Sequence, residues 1–95
     1  MVLTDTDDRI VEVNDAYVRL TGYDATELKG RELTFNRSGQ QDEQFFTSMR
    51  DTLAEEGRWT GELWLRNKTG EAFADKVTRL AIRRDDEITG YLTLS

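Results

Sequence analysis

The chain has 95 residues, enough for one domain, and 13 basic against 19 acidic side chains give it a net charge of −6. That balance argues against nucleic-acid binding, which needs a clustered basic patch to neutralise phosphates. Cysteine, histidine and proline are all absent, which excludes disulfides, thiolate nucleophiles, the usual zinc sites, His-ligated haem and a histidine general base. No apolar run approaches the ~20 residues that cross a bilayer and no signal-peptide core follows Met1, so the expectation is a cytoplasmic domain with no membrane contact of its own. A membrane anchor elsewhere in a parent protein stays open.

Met1-Val2-Leu3-Thr4 starts directly on strand-like residues, Thr4 to Asp8 is turn chemistry, and Ile10-Val11-Glu12-Val13 reads as a second short strand. The aspartates lack the glycine and the distant glutamate of an EF-hand loop, so they are assigned to a hairpin turn. Asn14 caps a helix over Asp15–Leu20 that Gly22 ends, with Tyr17, Leu20 and Tyr23 expected to face inward. Asp24-Ala25-Thr26-Glu27 is a variant capping box opening a single helical turn that stops at Gly30. Arg31 to Gln41 reads as a loop. From Asp42 to Glu56, Phe45, Phe46, Met49 and Leu53 fall on one helical face, and Gly57 closes it.

The stretch from Trp59 to Arg84 reads as a long β-hairpin about the turn Asn67-Lys68-Thr69-Gly70. Gly61, Leu63 and Leu65 share one face; Thr60, Glu62, Trp64 and Arg66 share the other. In the second strand Phe73, Asp75 and Val77 are in one phase and Leu80 and Ile82 in the opposite one. Strict alternation cannot turn both sets inward, so a β-bulge is predicted near Thr78-Arg79, without which Arg79 would point into the core. Arg79, Arg83 and Arg84, followed by Asp85-Asp86-Glu87, are read as a solvated turn. Asp75 is the one carboxylate placed inward, either solvated at the sheet rim or held in a pocket. Ile88 to Ser95 forms the last strand, with Tyr91, Thr93 and Ser95 on one face and Leu92 and Leu94 on the other. Trp64, Leu92 and Leu94 make the second face of the sheet apolar as well, and that face needs a cover.

The order of two strands, short helices, a longer helix and three antiparallel strands resembles a PAS domain over nearly the whole chain. The resemblance rests on Thr4-Asp5, Ile10-Val11-Glu12-Val13-Asn14 with Ala16, Leu20-Thr21-Gly22-Tyr23, Glu27-Leu28-Lys29-Gly30, Ser38-Gly39, Gly57 to Leu63, Lys68-Thr69-Gly70-Glu71 and Gly90-Tyr91. In this order and spacing they look like the PAS modules of bacterial sensor histidine kinases of two-component systems and of cyclic-di-GMP enzymes such as diguanylate cyclases. The resemblance implies an α+β fold, a five-stranded antiparallel sheet of order 2-1-5-4-3 with the helices on one face. It also implies that residues 1–95 are a single PAS domain trimmed at both ends, because the family's Asp-Ile-Thr exit motif would start beyond Ser95.

Ligands of the family sit between the sheet and the long helix. The resemblance and the strand phases together nominate Val13, Tyr17, Leu33, Phe45, Met49, Leu63, Leu65, Phe73, Val77 and Tyr91 as lining, with Asp75, Thr93 and Ser95 as polar contacts. Light-sensing relatives form a flavin adduct on a cysteine at the position of Leu33, and use asparagines where this chain has Leu65 and Asp75 and a glutamine where it has Ser95. An FMN adduct is therefore not expected, and neither is haem, because the family's haem-binding sensors mostly use a histidine and this chain has none. FAD-holding redox sensors look closer through Gly57-Arg58-Trp59 to Lys68, but they carry an asparagine at Leu65 and a tryptophan at Arg50, which disfavours FAD. The ligand itself is left unknown. Two functions follow: a non-catalytic sensor that binds a small molecule and passes the signal to an attached kinase or cyclic-di-GMP output domain, or a protein-interaction module with a filled core; an FAD-binding redox sensor is kept as a lesser alternative. In either, the outer face through Trp64, Leu92 and Leu94 is the expected homodimer surface. An enzyme would need paired carboxylates or a lysine in a cleft, and no second acid is placed beside Asp75.

Overall fold

Turns and caps written in polar residues fix where each element starts and stops. In the computed structural model, which describes residues 1–95, β1 (Val2–Thr4) and β2 (Ile10–Val13) precede α1 (Asp15–Thr21), α2 (Ala25–Leu28) and α3 (Glu43–Glu56). Three long strands follow, β3 (Arg58–Arg66), β4 (Ala72–Arg84) and β5 (Glu87–Leu94). All pairings are antiparallel and the sheet order is β2-β1-β5-β4-β3. The Asn14 side chain accepts from the Tyr17 N–H at 3.1 Å, and Asp42 accepts from the Phe45 N–H at 2.9 Å. Each satisfies one of the donors a helix start leaves orphaned. The Glu27 carboxylate accepts from the Asp24 N–H at 3.2 Å, closing the capping box of α2.

The helices pack on one face of the sheet. Leu63 and Leu65 of β3 and Val77 of β4 meet Phe46, Met49 and Leu53 of α3 in one buried cluster. Tyr17, Leu28 and Leu33 complete it from α1, α2 and the following loop. Leu20 departs from expectation: it is 41% exposed, and Thr21 takes the inward position instead. Residues 17 and 21 lie four apart on one helical stripe, and the Thr21 hydroxyl is satisfied by donating to the Tyr17 carbonyl at 3.0 Å.

The predicted bulge at Thr78-Arg79 does not occur. β3 and β4 pair without interruption from Arg58↔Leu80 to Arg66↔Ala72, and the one register shift between β4 and β5 lies at Ile82/Arg83. Alternation therefore holds through Arg79, whose side chain enters the core with no exposed surface, so it is no part of a solvated turn. Leu80 and Ile82 stay on the outer face. The reason is that Arg79 finds a full set of partners inside, and a bulge would remove it from them.

Gly90 is the tightest point of the sheet. A Cβ there would fall far inside van der Waals contact with the carbonyl oxygen of Thr4, which belongs to the neighbouring β1. Backbone cannot move aside as a side-chain tip can. Gly90→Ala is expected to destabilise the domain by ~1–3 kcal/mol, read as a lower urea midpoint with an unchanged m value.

Candidate functional site

The inner face of the sheet gathers the residues nominated from sequence. Leu63 stands opposite Asp75 and Leu65 opposite Phe73, and Tyr17, Leu33, Met49, Leu63, Leu65 and Val77 belong to one buried cluster. Val13, Phe45, Phe73 and Tyr91 pack against it as partly buried neighbours. The geometry brings these side chains together, and they fill the space between sheet and α3 with one another. Phe45 stacks edge-on against both Phe46 and Trp59, with ring centroids 5.3 and 5.8 Å apart.

The charged centre of this face is a pair that the sequence reading missed. Arg79 donates from one terminal nitrogen to Asp8 Oδ2 at 3.0 Å and from the other to Asp8 Oδ1 at 2.5 Å. Its Nε donates to Thr93 Oγ1 at 2.9 Å, the Met49 sulfur lies 3.8 Å from a terminal nitrogen, and the guanidinium sits 5.3 Å from the Tyr91 ring centroid. A planar fork meeting both oxygens of one carboxylate is the geometry in which arginine binds most strongly. Asp8 reaches it from the β1–β2 turn, where it holds the left-handed backbone conformation with φ of 60°. Its Oδ1 also accepts from the Thr4 hydroxyl at 2.7 Å. Thus Asp8 is a second inward carboxylate, contrary to the reading that Asp75 stands alone, and Thr93 is committed to Arg79 rather than free for a ligand.

Asp75 lies two alternations along the same face. It is 6% exposed and accepts from the Ser95 hydroxyl at 3.2 Å, so it is buried rather than solvated at the rim. Burial pushes its carboxyl above the usual range, while the Ser95 hydrogen bond pulls it partly back. Burial also raises the Tyr17 phenol well above its ordinary value, with the charge of Asp75 adding to the shift. The phenol is therefore neutral throughout the physiological range.

Two concavities flank this packed interior. One, of about 250 Å³, opens at the Arg79 end between the β1–β2 turn, α3 and β5, where Asp8, Glu32, Arg50, Leu53, Arg79 and Tyr91 contribute to its walls. Of the nominated lining residues, Tyr91 alone reaches it. The other, about 610 Å³, lies on the outer face over Thr60, Glu62, Lys76, Thr78, Leu80 and Leu94. On that outer face strand register places Leu3, Leu92, Leu80 and Arg58 in one row across four strands. Leu94 follows in the next row at 40% exposed, and Ile82, at 37% exposed, extends the apolar stripe on the other side. Trp64 shares the face but stands opposite Ala74, beyond the Glu62–Lys76 row. Alternation identifies Leu3, Leu80 and Ile82 as members of this surface once the bulge is discarded.

A five-stranded antiparallel sheet of order β2-β1-β5-β4-β3 with helices cupped over one face is the PAS fold. The chain belongs to the PAS domain family, whose sequence profile matches residues 1–94. The aerotaxis receptor of Escherichia coli (strain K12) is 28% identical over 94 residues, covering 99% of this chain and 19% of that protein. The chain thus spans about a fifth of the length of this curated relative. The PAS domain of a Colwellia psychrerythraea protein superposes with a TM-score of 0.88 at 22% identity, over 97% of this chain and 79% of that one. The light-state structure of the blue-light photoreceptor Aureochrome1 LOV superposes with a TM-score of 0.86 at 22% identity, over 98% and 76% of the two chains. Domains of this family are as a class non-catalytic. No helix here is long and apolar enough to cross a membrane. Leu33 and Leu65 are each 1% exposed in the hydrocarbon cluster, and neither side chain offers a donor or acceptor to a flavin ring edge.

The raised Asp75 carboxyl makes a signed prediction. A carboxyl whose folded pKa exceeds its unfolded value near ~3.9 leaves the folded state holding more protons, so stability falls as pH rises through that window. Asp75→Asn keeps the acceptor for Ser95 and removes the charge. It is expected to be more stable than the parent at pH 7 and to lose that part of the pH slope, measured by urea denaturation between pH 4 and pH 7.

Proposed function

We propose that this domain is a non-catalytic sensory and regulatory module of a bacterial signal-transduction protein, attached to a kinase or cyclic-di-GMP output domain, and that it signals by pairing with a second copy through its outer sheet face. The observation that carries the reading is the division between the two faces. The inner face is packed, with Arg79 paired to Asp8, whereas the outer one leaves the Leu3–Leu92–Leu80 row, Leu94 and Ile82 open beside a concavity of about 610 Å³. An apolar sheet face of this kind is covered in a working assembly. The sensory role follows the similarity to the aerotaxis receptor, and any catalysis is assigned to another domain of the parent protein. In a symmetric pair, the same stripe meets itself.

The small-molecule reading retains one supporting observation, the cavity of about 250 Å³ between α3 and the sheet. It is below the ~300–1,000 Å³ of drug-sized sites, so its ligand would be small. Its polar walls favour a compact, hydrogen-bonding molecule over a large aromatic one. The interface reading is preferred because it accounts for a larger unexplained surface.

Light scattering coupled to size exclusion tests the preference. The parent chain is expected to run as a dimer and Leu94→Asp as a folded monomer, because a charge would be buried in the apolar stripe. A Leu94→Asp dimer, or a monomeric parent, would remove this face from the mechanism. Native mass spectrometry separates the second reading: a mass above the sum of two chains returns the function to ligand binding.

A further inference from the structure

We propose that the cleft between the α2–α3 loop and the β3–β4 turn binds a small phosphate ester that also carries an N–H or O–H donor, such as a mononucleotide. This site is separate from the inner face and from the outer stripe. It is an open groove of about 400 Å³, within the size range of small-molecule sites. Its walls carry Arg31, Arg37, Arg66 and Lys68 and no carboxylate. In a chain with 19 acidic and 13 basic side chains, four cations gathered on one wall are a local concentration of positive charge, although Arg37 and Lys68 are each paired with a glutamate beside it.

The cations are unequally available. Arg37 is paired with Glu43 and lies 3.9 Å from Glu32, and Lys68 is paired with Glu27 at 2.9 Å. Arg31 and Arg66 bond only to main-chain carbonyls: Arg31 Nε donates to Glu27, and Arg66 donates to Gly70 at 2.8 Å and Ser38 at 3.3 Å. Those carbonyls orient the two guanidinium planes; Arg31 also faces the Glu27 charge, while Arg66 has no carboxylate partner. Oriented guanidinium groups are the preferred protein partners of phosphate.

The cleft also contains aromatic and amide groups. Tyr23 and Phe35 meet edge-on with centroids 5.4 Å apart, and Arg31 covers the Phe35 ring at 4.8 Å. Guanidinium planes and aromatic edges of this kind accept a flat base against them. Asn36 is 9% exposed and donates from Nδ2 to the Arg66 carbonyl at 2.6 Å, yet its Oδ1 is buried with no partner. A buried acceptor left unpaired costs stability. Asn36 lines the cleft, and turning its amide outward lets a ligand N–H or O–H satisfy the oxygen, which inorganic phosphate dianion, with a single O–H, does poorly. The amide therefore favours the organic ester over the free ion.

The test is titration of the isotope-labelled domain with GMP, ribose 5-phosphate, inorganic phosphate and a glutamate-rich peptide, followed by amide chemical shifts. GMP is expected to shift Tyr23, Phe35, Asn36 and the Asn67–Gly70 turn, and to bind more tightly than inorganic phosphate. Arg66→Gln, an exposed position, is expected to weaken GMP about 10-fold with an otherwise unchanged spectrum, since one charge-assisted contact is lost. Asn36→Leu should narrow the difference between GMP and phosphate. Saturable shifts from ribose 5-phosphate equal to those from GMP would assign the ring to solvent and keep the ester site. Absence of saturable shifts with either ester, shifts centred elsewhere, an unaffected Arg66→Gln affinity, or tighter binding of the peptide would each overturn the proposal.

Discussion

Taking a guanidinium out of water costs several kcal/mol before any partner is found, and this fold places Arg79 at the centre of its inner face with no exposed surface. The cost is offset only because every direction around the group is supplied: a bidentate carboxylate from Asp8, the Thr93 hydroxyl, the Met49 sulfur and the face of Tyr91. Those partners come from the β1–β2 turn, β5 and α3. One side chain therefore ties together elements that are distant in sequence. It also explains why Asp8 holds a left-handed backbone, a conformation that aspartate tolerates better than most residues.

The same interaction separates the two faces by role. With Arg79 neutralised and Leu63, Leu65, Phe46 and Met49 packed beside it, the interior leaves only the cavity at the Asp8 end. Leu80 and Ile82 are displaced to the outside by the alternation that takes Arg79 inward, and there they enlarge the stripe of Leu3, Leu92 and Leu94. A charged residue inside and an apolar surface outside are thus two consequences of one strand register.

Much of this was legible from the residues. The cap at Asn14, the Gly57 stop and the Asn67–Gly70 turn carry their instructions in local hydrogen-bonding chemistry, so the elements they bound were identified correctly. The outer positions of Trp64, Leu92 and Leu94 followed from period-2 alternation. The inward arginine did not, because its partner lies 71 residues away and pattern reasoning assigns an unpaired charge to solvent. Phe73, Asp75, Val77 and Arg79 were in phase throughout. Accepting that phase, and then asking which acid met the arginine, would have pointed to the aspartates of the first turn. Leu20 failed for a smaller reason, since in a helix of two turns one residue of stripe width decides burial and Thr21 occupied it.

A double-mutant cycle on Asp8 and Arg79, followed by urea denaturation, tests the account most directly. Glycine at position 8 keeps the left-handed turn without strain, so Asp8→Gly removes the carboxylate, with its bonds to Arg79 and Thr4, and leaves the backbone path in place. It is predicted to cost ~3–5 kcal/mol by leaving the guanidinium buried and unpaired, with Arg79→Met in the same chain restoring most of that loss. Simple addition of the two single effects in the double variant would contradict the claim that the pair organises this fold.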